Sequence, residues 1–458
     1  VAYGQQNDSS KVSMAEGMIV DQDFTGAFEI YQELLKDNPM NYDYRLRVGL
    51  LLGWMKRFDD SEDHFQQMLI DYPNNIEIGT ALMRVLSWQH RYAESIELSK
   101  EFEKLYPDNK DLLLITAQTY FWSGAYPDSE KYTRKLLEID PENDVVLSLN
   151  KDLLIVQAPW VDGGTVWGWD SEDTQLIVIG VRGQIEITDK TRFQLGIDRF
   201  DTKNDRILRV GDAYSLSGTF LYNVDHIWRL RGDLGLASYQ QKISNRGDLF
   251  FSGGLNLRRN TGKHTTNYTV SHNPILESPI LMENRIQMTS ALIAYRYRHL
   301  NYSFFATPQL SWYSDGNNRQ SVLLEFNYST EGEKFRARPG IKAQYIAFDS
   351  VVIDNGYFSP EQLTTLLATV ELDRSEPGGE YQFLLAGDIG YQKIDHPVVD
   401  SDPKLLYRVD LRFVWSPGDD FRLSAGYEYT NLQTVSALST SSDYWYQAAN
   451  VRLRYQFN

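Results

Sequence analysis

Apolar and polar residues follow two different rhythms along this chain. In "RFQLGIDRF", Phe193, Leu195 and Ile197 alternate with Gln194, Gly196 and Asp198. In "IWRLRGDLGL", Trp228, Leu230, Leu234 and Leu236 alternate with Arg229, Arg231, Asp233 and Gly235. The closing stretch, "NVRLRYQFN", sets Val451, Leu453, Tyr455 and Phe457 against Arg452, Arg454 and Gln456. A period of two predicts strands with one apolar face. The pattern begins after "QAPWVDGG" and holds to the end of the chain, with no helical segment expected within it. Divided at its turn signals, this portion yields about sixteen strands.

The first portion keeps a longer period. Pro39, Pro73, Pro107 and Pro141 stand 34 residues apart. Phe24, Phe58, Tyr92 and Tyr126 keep the same step, as do Ala27, Ser61, Ser95 and Ser129, and Trp54, Trp88 and Trp122. Four columns in one register resemble the tetratricopeptide repeat, a helix–turn–helix unit. Small residues let paired helices approach, aromatics fill between them, and proline ends one helix before the next begins. Residues 10–157 therefore read as a solenoid of about four repeats plus a closing helix, "NDVVLSLNKDLLIV". Trp54, Trp88 and Trp122 are expected in the repeat core. The concave face of such a solenoid takes a peptide or a partner protein.

The strands of residues 160–458 have connections of two lengths. One set is tight, including "TDK", "NVDH", "TGK", "HLN", "TEGE", "SEPGG" and "SPGDD". The other holds most of the long ones, "NPILESPILMEN", "SVVIDNGYFSPEQ", "DHPVVDSDPK" and "TVSALSTSSD". Short turns on one rim and long loops on the other fit an outer-membrane barrel. Backbone amides in hydrocarbon are all satisfied only when such a sheet closes on itself. The fold expected is thus α+β in two domains: an N-terminal α-solenoid and a C-terminal transmembrane antiparallel β-barrel. An even strand count puts both barrel ends, and the solenoid, on the periplasmic side. Trp415, Tyr427, Tyr429 and Phe457 are expected in an interfacial girdle.

Composition narrows the chemistry. The net charge is -17 with no basic patch, which argues against nucleic acid. Residues 1–157 hold 15 Lys and Arg against 27 Asp and Glu, so the acidity is concentrated in the solenoid. Solvated helix faces account for it; a basic partner is the sharper reading. Cysteine is absent, which excludes disulfides and thiolate chemistry and suits an oxidising compartment. Mean hydropathy is -0.43, a low value that a barrel tolerates because only alternate residues meet lipid. "VAYGQQNDSS" could be the trailing end of a processed secretory signal.

Alternation also fixes a lumen lining. The inward set includes Arg229, Arg231, Asp233, Arg296, Arg298, Arg336, Arg338, Glu371, Arg408, Asp410, Arg412, Arg452 and Arg454. Opposite charges pairing across strands would fill the wall. As a conduit, such a mixture suits a neutral or weakly anionic polymer better than a polycation.

"GYFSPE", Gly356 to Glu361, resembles a short motif of bacterial exopolysaccharide-export porins. These include the outer-membrane subunit of cellulose secretion and the poly-N-acetylglucosamine export porin. "NPILESPILMEN" looks like a degenerate form of another loop of the cellulose subunit. The resemblance implies periplasmic repeats joined to a sixteen-stranded barrel that passes a polysaccharide outward. Its partners would be the polysaccharide chain, outer-membrane lipids, and periplasmic or inner-membrane synthase components docked on the repeats. No cofactor, metal or catalytic residue is implied. Four repeats are fewer than that family carries, so another periplasmic partner would be needed to reach a synthase.

In the loop motif, Tyr357 and Phe358 could stack on sugar faces or pack the loop against the wall. Pro360 would fix the turn, and Gly356 and Ser359 are the motif's other members. Two rival functions are an outer-membrane hydrolase, with Ser271–His272 or Asp395–His396 at the rim, and a scaffold barrel that recruits periplasmic proteins while its lumen stays plugged.

Overall fold

The computed structural model describes residues 2–241, 246–330, 335–352, 355–375, 379–397, 402–431 and 444–457. The chain divides into two compact units, one of helices and one of strands. The helices are α1 (Ala2–Val20), α2 (Phe24–Asp37), α3 (Tyr42–Trp54), α4 (Phe58–Asp71), α5 (Ile76–Trp88), α6 (Tyr92–Glu103), α7 (Lys110–Ser123), α8 (Tyr126–Ile139) and α9 (Asp144–Gln157). They form four helix pairs and a closing helix.

Two further columns with the same 34-residue step make these helices start and stop. Asn41, Asn75, Asn109 and Asn143 each accept bonds from the second or third amide of the following helix through the side chain. Such a cap contributes ~1 kcal/mol. Between the members of each pair the chain turns through a left-handed residue, Gln22 (φ 62), Lys56 (φ 60), His90 (φ 60) or Gly124 (φ 74).

The small-residue column does more than permit close approach. Ser61, Ser95 and Ser129 are buried and donate to the carbonyls of Gly49 (2.7 Å), Met83 (3.1 Å) and Ala117 (2.7 Å) on the preceding helix. Ala27 occupies the same place in the first repeat and is also buried. Of the tryptophans, Trp54 lies 5.5 Å from Phe24 and Trp88 lies 6.0 Å from Phe58 between ring centroids, both half-buried. Trp122 departs from the expected core position: it is 43% exposed. Phe121 takes the aromatic contact instead, 5.6 Å from Tyr126.

The strands are β1 (Trp160–Asp170), β2 (Thr174–Thr188), β3 (Thr191–Asn204), β4 (Arg209–Asn223), β5 (Trp228–Gln241), β6 (Arg246–Asn260), β7 (His264–Pro274) and β8 (Gln287–Arg298). They continue with β9 (Tyr302–Tyr313), β10 (Asn318–Tyr328), β11 (Arg336–Phe348), β12 (Gln362–Ser375), β13 (Tyr381–Asp395), β14 (Lys404–Trp415), β15 (Phe421–Thr430) and β16 (Tyr446–Gln456). Each pairs antiparallel with its sequence neighbours, and β1 pairs with β16 from Trp160↔Gln456 to Asp170↔Tyr446, closing a barrel of 16 strands. Closure leaves no sheet edge, which is what hydrocarbon requires.

One face of each strand except β15 carries exposed aliphatic and aromatic residues, among them Leu234 (76%), Leu255 (62%) and Ile341 (59%). No soluble core covers them; they form the lipid-facing band of a transmembrane barrel. At the short-turn end the band is edged by aromatic pairs: Trp415 with Phe421 (6.0 Å), Tyr455 with Phe457 (5.1 Å) and Tyr381 with Phe413 (6.0 Å). Tyr429 stacks on Tyr407 at the opposite end (5.6 Å), and Tyr427 sits between, donating to Gln447 (2.6 Å).

A short helix, α10 (Pro279–Glu283), interrupts the strand portion, where none was expected. Ser278 caps it, accepting from the Ile280 amide at 3.3 Å, and Pro279 occupies its first turn. That pairing of serine and proline is a helix-start signal, hidden here inside an apolar loop. Of the long connections, "TVSALSTSSD" lies almost wholly outside the described residues, as does the middle of "DHPVVDSDPK". Most of the tight turn "TEGE" and the centre of "SEPGG" lie outside them as well.

Candidate functional site

Opposite the apolar band, the second face of each strand lines the bore. The residues read from alternation as lumen-lining all lie on this face. Arg229, Arg231 and Asp233 alternate with outward Leu230 and Leu234, and Arg408, Asp410 and Arg412 with outward Tyr407, Val409 and Phe413. Arg296 and Arg298 do so on β8, Arg336 and Arg338 on β11, Glu371 on β12, and Arg452 and Arg454 on β16.

Many of these charges meet a partner on the same strand or the next. Arg408 is a hub, reaching Glu428 at 2.7 Å, Asp410 at 3.3 Å and Asp388 at 3.4 Å. Arg412 holds Asp410 at 2.9 Å, and Arg231 holds Asp233 at 2.8 Å. Arg338 pairs with Glu371 and, at 3.3 Å, with Asp373. Arg454 holds Asp162 at 2.8 Å and lies 4.0 Å over the Trp160 ring. Arg296 lies 5.5 Å over Phe305. Arg336 stands opposite Asp373 in register, and Arg229 opposite Arg258. Among the described residues, no carboxylate comes within 4 Å of Arg298, Arg422 or Arg452.

The long-connection end is built differently. Here the inward faces turn apolar: Ala213, Ala237, Tyr239 and Phe250 on β4–β6, and Tyr313, Ile346, Phe348, Leu363 and Ile394 on β9–β13. Two connections fold onto them. Met282 and Leu276 pack on the β4–β6 group, whereas Leu281 and Ile286 pack on the β9–β13 group. Leu281 and Met282 are consecutive, so α10 touches both groups of strands. The motif loop completes the span. Tyr357 is stacked on Tyr313 (4.6 Å between centroids, 10° between planes), and Phe358 lies 5.2 Å from the His396 ring.

Tyr357 and Phe358 are both buried. They pack the loop against the wall, and their faces are covered by protein. The Tyr357 hydroxyl donates to Asp315 at 2.7 Å and accepts from Asn317 at 3.3 Å. Burial first, and then the bond to Asp315, push its phenol well above the usual tyrosine range. Ser359 accepts from the Val352 amide at 2.8 Å and so closes the loop on itself. Pro360 follows just before β12. Gly356 has φ +93, and a Cβ there would sit 2.9 Å from both the Ile280 side chain and the Leu281 amide nitrogen. Only glycine allows the two connections to touch at that point. This span was not legible from periodicity, since it rests on contacts between segments about 75 residues apart.

The pairs weighed as catalytic are separated by the wall. Ser271 faces the bore and bonds Ser290 at 3.0 Å; His272 faces outward, bonding Thr289 (2.8 Å) and Gln287 (2.9 Å). Asp395 is exposed, while His396 is buried under Phe358, which lowers its pKa by desolvation.

No family model matches the chain, and no curated protein matches it. Among solved structures, one described as a bacterial polysaccharide outer membrane secretin aligns with TM-score 0.53 and 11% identity, covering 66% of this chain and 99% of that one. At that identity the likeness is one of fold. CdiB from Acinetobacter baumannii aligns with TM-score 0.42 and 15% identity over 65% of this chain and 60% of its own. A thermophilic TPR protein of Thermus thermophilus aligns over 32% of this chain and 82% of its own, with TM-score 0.30 and 12% identity.

Proposed function

We propose that this chain is an outer-membrane pore through which a secreted polysaccharide leaves the periplasm. The observation that carries the proposal is the closed barrel of 16 strands with an apolar outer face and a charged, polar bore. Sixteen strands enclose a lumen wide enough for water and solute. Arginine, carboxylate and amide groups along the wall supply donors and acceptors for sugar hydroxyls. The fold likeness to a polysaccharide secretin supports the same reading.

The short-turn end lies in the periplasm, and the long connections face the medium. The solenoid then docks a synthase component or the nascent chain. The pore has no energy source of its own, and polymerisation drives the chain through. Deleting the gene leaves polymer trapped in the periplasm; unchanged surface polysaccharide in the deletion strain contradicts the proposal.

A second reading rests on the docked connections. With both packed on inward strand faces and touching at Gly356, the barrel could act as a plugged scaffold whose solenoid recruits periplasmic proteins. Single-channel recording separates the two: a scaffold never conducts, while a gated pore opens when the connections are released.

A further inference from the structure

Resting on the export reading above, we infer that the wall between β14 and β2 holds a binding site for an acidic group, which makes the exported polymer an anionic glycan. A cavity of about 540 Å³ opens into the wall there. Its charged and polar margin includes Arg182, Arg412, Arg422, Arg452, Ser424 and Asn450. Glycines also line it. A Cβ at Gly164 would come within 2.9 Å of the Val451 carbonyl and 3.3 Å of the Arg452 Cβ. A Cβ at Gly426 would come within 2.6 Å of the Asn450 amide. At both positions atoms of β16 already fill the space a side chain would take, so glycine lets β1 and β15 close up against β16 beside the cavity.

Four carboxylates also border the cavity, and each is already engaged. Asp162 is held by Arg454 at 2.8 Å and Asp198 by Arg182 at 3.5 Å. Asp410 is held by Arg412 at 2.9 Å and Arg408 at 3.3 Å, and Glu428 by Arg408 at 2.7 Å. Arg422 and Arg452 are left over: among the described residues neither has a carboxylate within 4 Å. Arg422 moreover stands directly opposite Arg454 in the β15–β16 register, and Arg452 opposite Ser424. Like charges directly opposed on one face of a sheet destabilise it. Arg454 already holds Asp162, so it is Arg422 and Arg452 that an anion in the recess would pair, and two guanidinium groups suit a carboxylate or an ester oxyanion bidentately. Ser424 and Asn450 on the margin can bond the hydroxyls of the sugar that carries the acid.

The test is equilibrium binding to the purified full-length protein in detergent, measured calorimetrically with four oligosaccharides of matched length. These are a polyuronate, a sulfated glucan, a cello-oligosaccharide and a chitosan oligosaccharide. The polyuronate or the sulfated glucan is expected to bind, and to bind more weakly at high salt; the stronger of the two identifies the acid. Arg422→Gln with Arg452→Gln is expected to weaken that binding at least tenfold, while the double lysine variant, which keeps the charge and loses the guanidinium fork, binds between the parent and the glutamine variant. Retained heat-modifiable mobility on gels checks that each variant is folded. Equal binding of the neutral oligosaccharide, absence of anion binding, or unchanged affinity in the double glutamine variant overturns the site. None of these results touches the export reading, which fails only if the deletion strain exports its polymer normally.

Discussion

Replacing Tyr357 with alanine should release the connections docked at the mouth of the barrel. The ring is buried, stacked on Tyr313 and beside Phe348, with its hydroxyl on Asp315. Truncating a buried aromatic to alanine costs about 3–5 kcal/mol. Here that cost falls on loop docking, because the barrel ladder itself is untouched. It shifts the docked-to-free ratio by roughly 10²- to 4 × 10³-fold, since each 1.4 kcal/mol is about tenfold. Tyr357→Phe keeps the stacking and loses only the hydroxyl's bonds to Asp315 and Asn317, worth about 1–3 kcal/mol. Open probability in planar bilayers is therefore expected to rise in the order wild type, Tyr357→Phe, Tyr357→Ala. An alanine variant as closed as wild type, or a wild type already open, refutes the argument that these contacts hold the mouth.

Three further outcomes follow from the same contacts. Because docking holds the Tyr357 phenol protonated above its ordinary value of 10.0, docking is fully favourable below that pH and weakens as pH rises beyond it; channel activity that stays flat between pH 8 and pH 11 is the contrary result. In the solenoid, His64 donates from Nε2 to the Arg45 carbonyl at 2.7 Å, and burial lowers its pKa below 6.5. Its contribution is present above 6.5 and lost as pH falls, so hydrogen-exchange protection factors in α3 and α4, corrected for the intrinsic exchange rate, should fall between pH 7 and pH 5, and His64→Gln should remove that dependence. Arg408→Ala leaves Asp388 with Lys342 (3.5 Å) and Asp410 with Arg412 (2.9 Å) as remaining cations, and with those side chains 7% and 8% exposed it should destabilise the barrel by about 1.5–3 kcal/mol in urea unfolding followed by gel mobility. A loss below 1 kcal/mol would mean that water already serves those carboxylates.

Much of this architecture is written in local pattern. The 34-residue columns report helix pairing because each side chain meets the same neighbour in every repeat, as Ser61, Ser95 and Ser129 do with a carbonyl twelve residues back. Strict alternation reports the barrel because each one-residue step moves a side chain from lipid to lumen. The asparagine caps were equally periodic and needed only a search for acceptors after each proline. The left-handed turn residues were not readable: the backbone demand recurs at Gln22, Lys56, His90 and Gly124, and the residue type does not. Nor could the docking of the two connections be read, because Leu281 and Met282 gain their meaning from two separate groups of strands, β9–β13 and β4–β6.

The absence of cysteine allows a direct test of the lipid-facing band. Single substitutions to cysteine at each position from Arg229 to Leu236 on β5, spin-labelled in proteoliposomes, can be read for collision with oxygen and with a water-soluble nickel chelate. Oxygen should dominate at Leu230, Leu234 and Leu236, and the chelate at Arg229, Arg231 and Asp233, with a period of two. Uniform access to the chelate along the strand would contradict a barrel that spans a membrane.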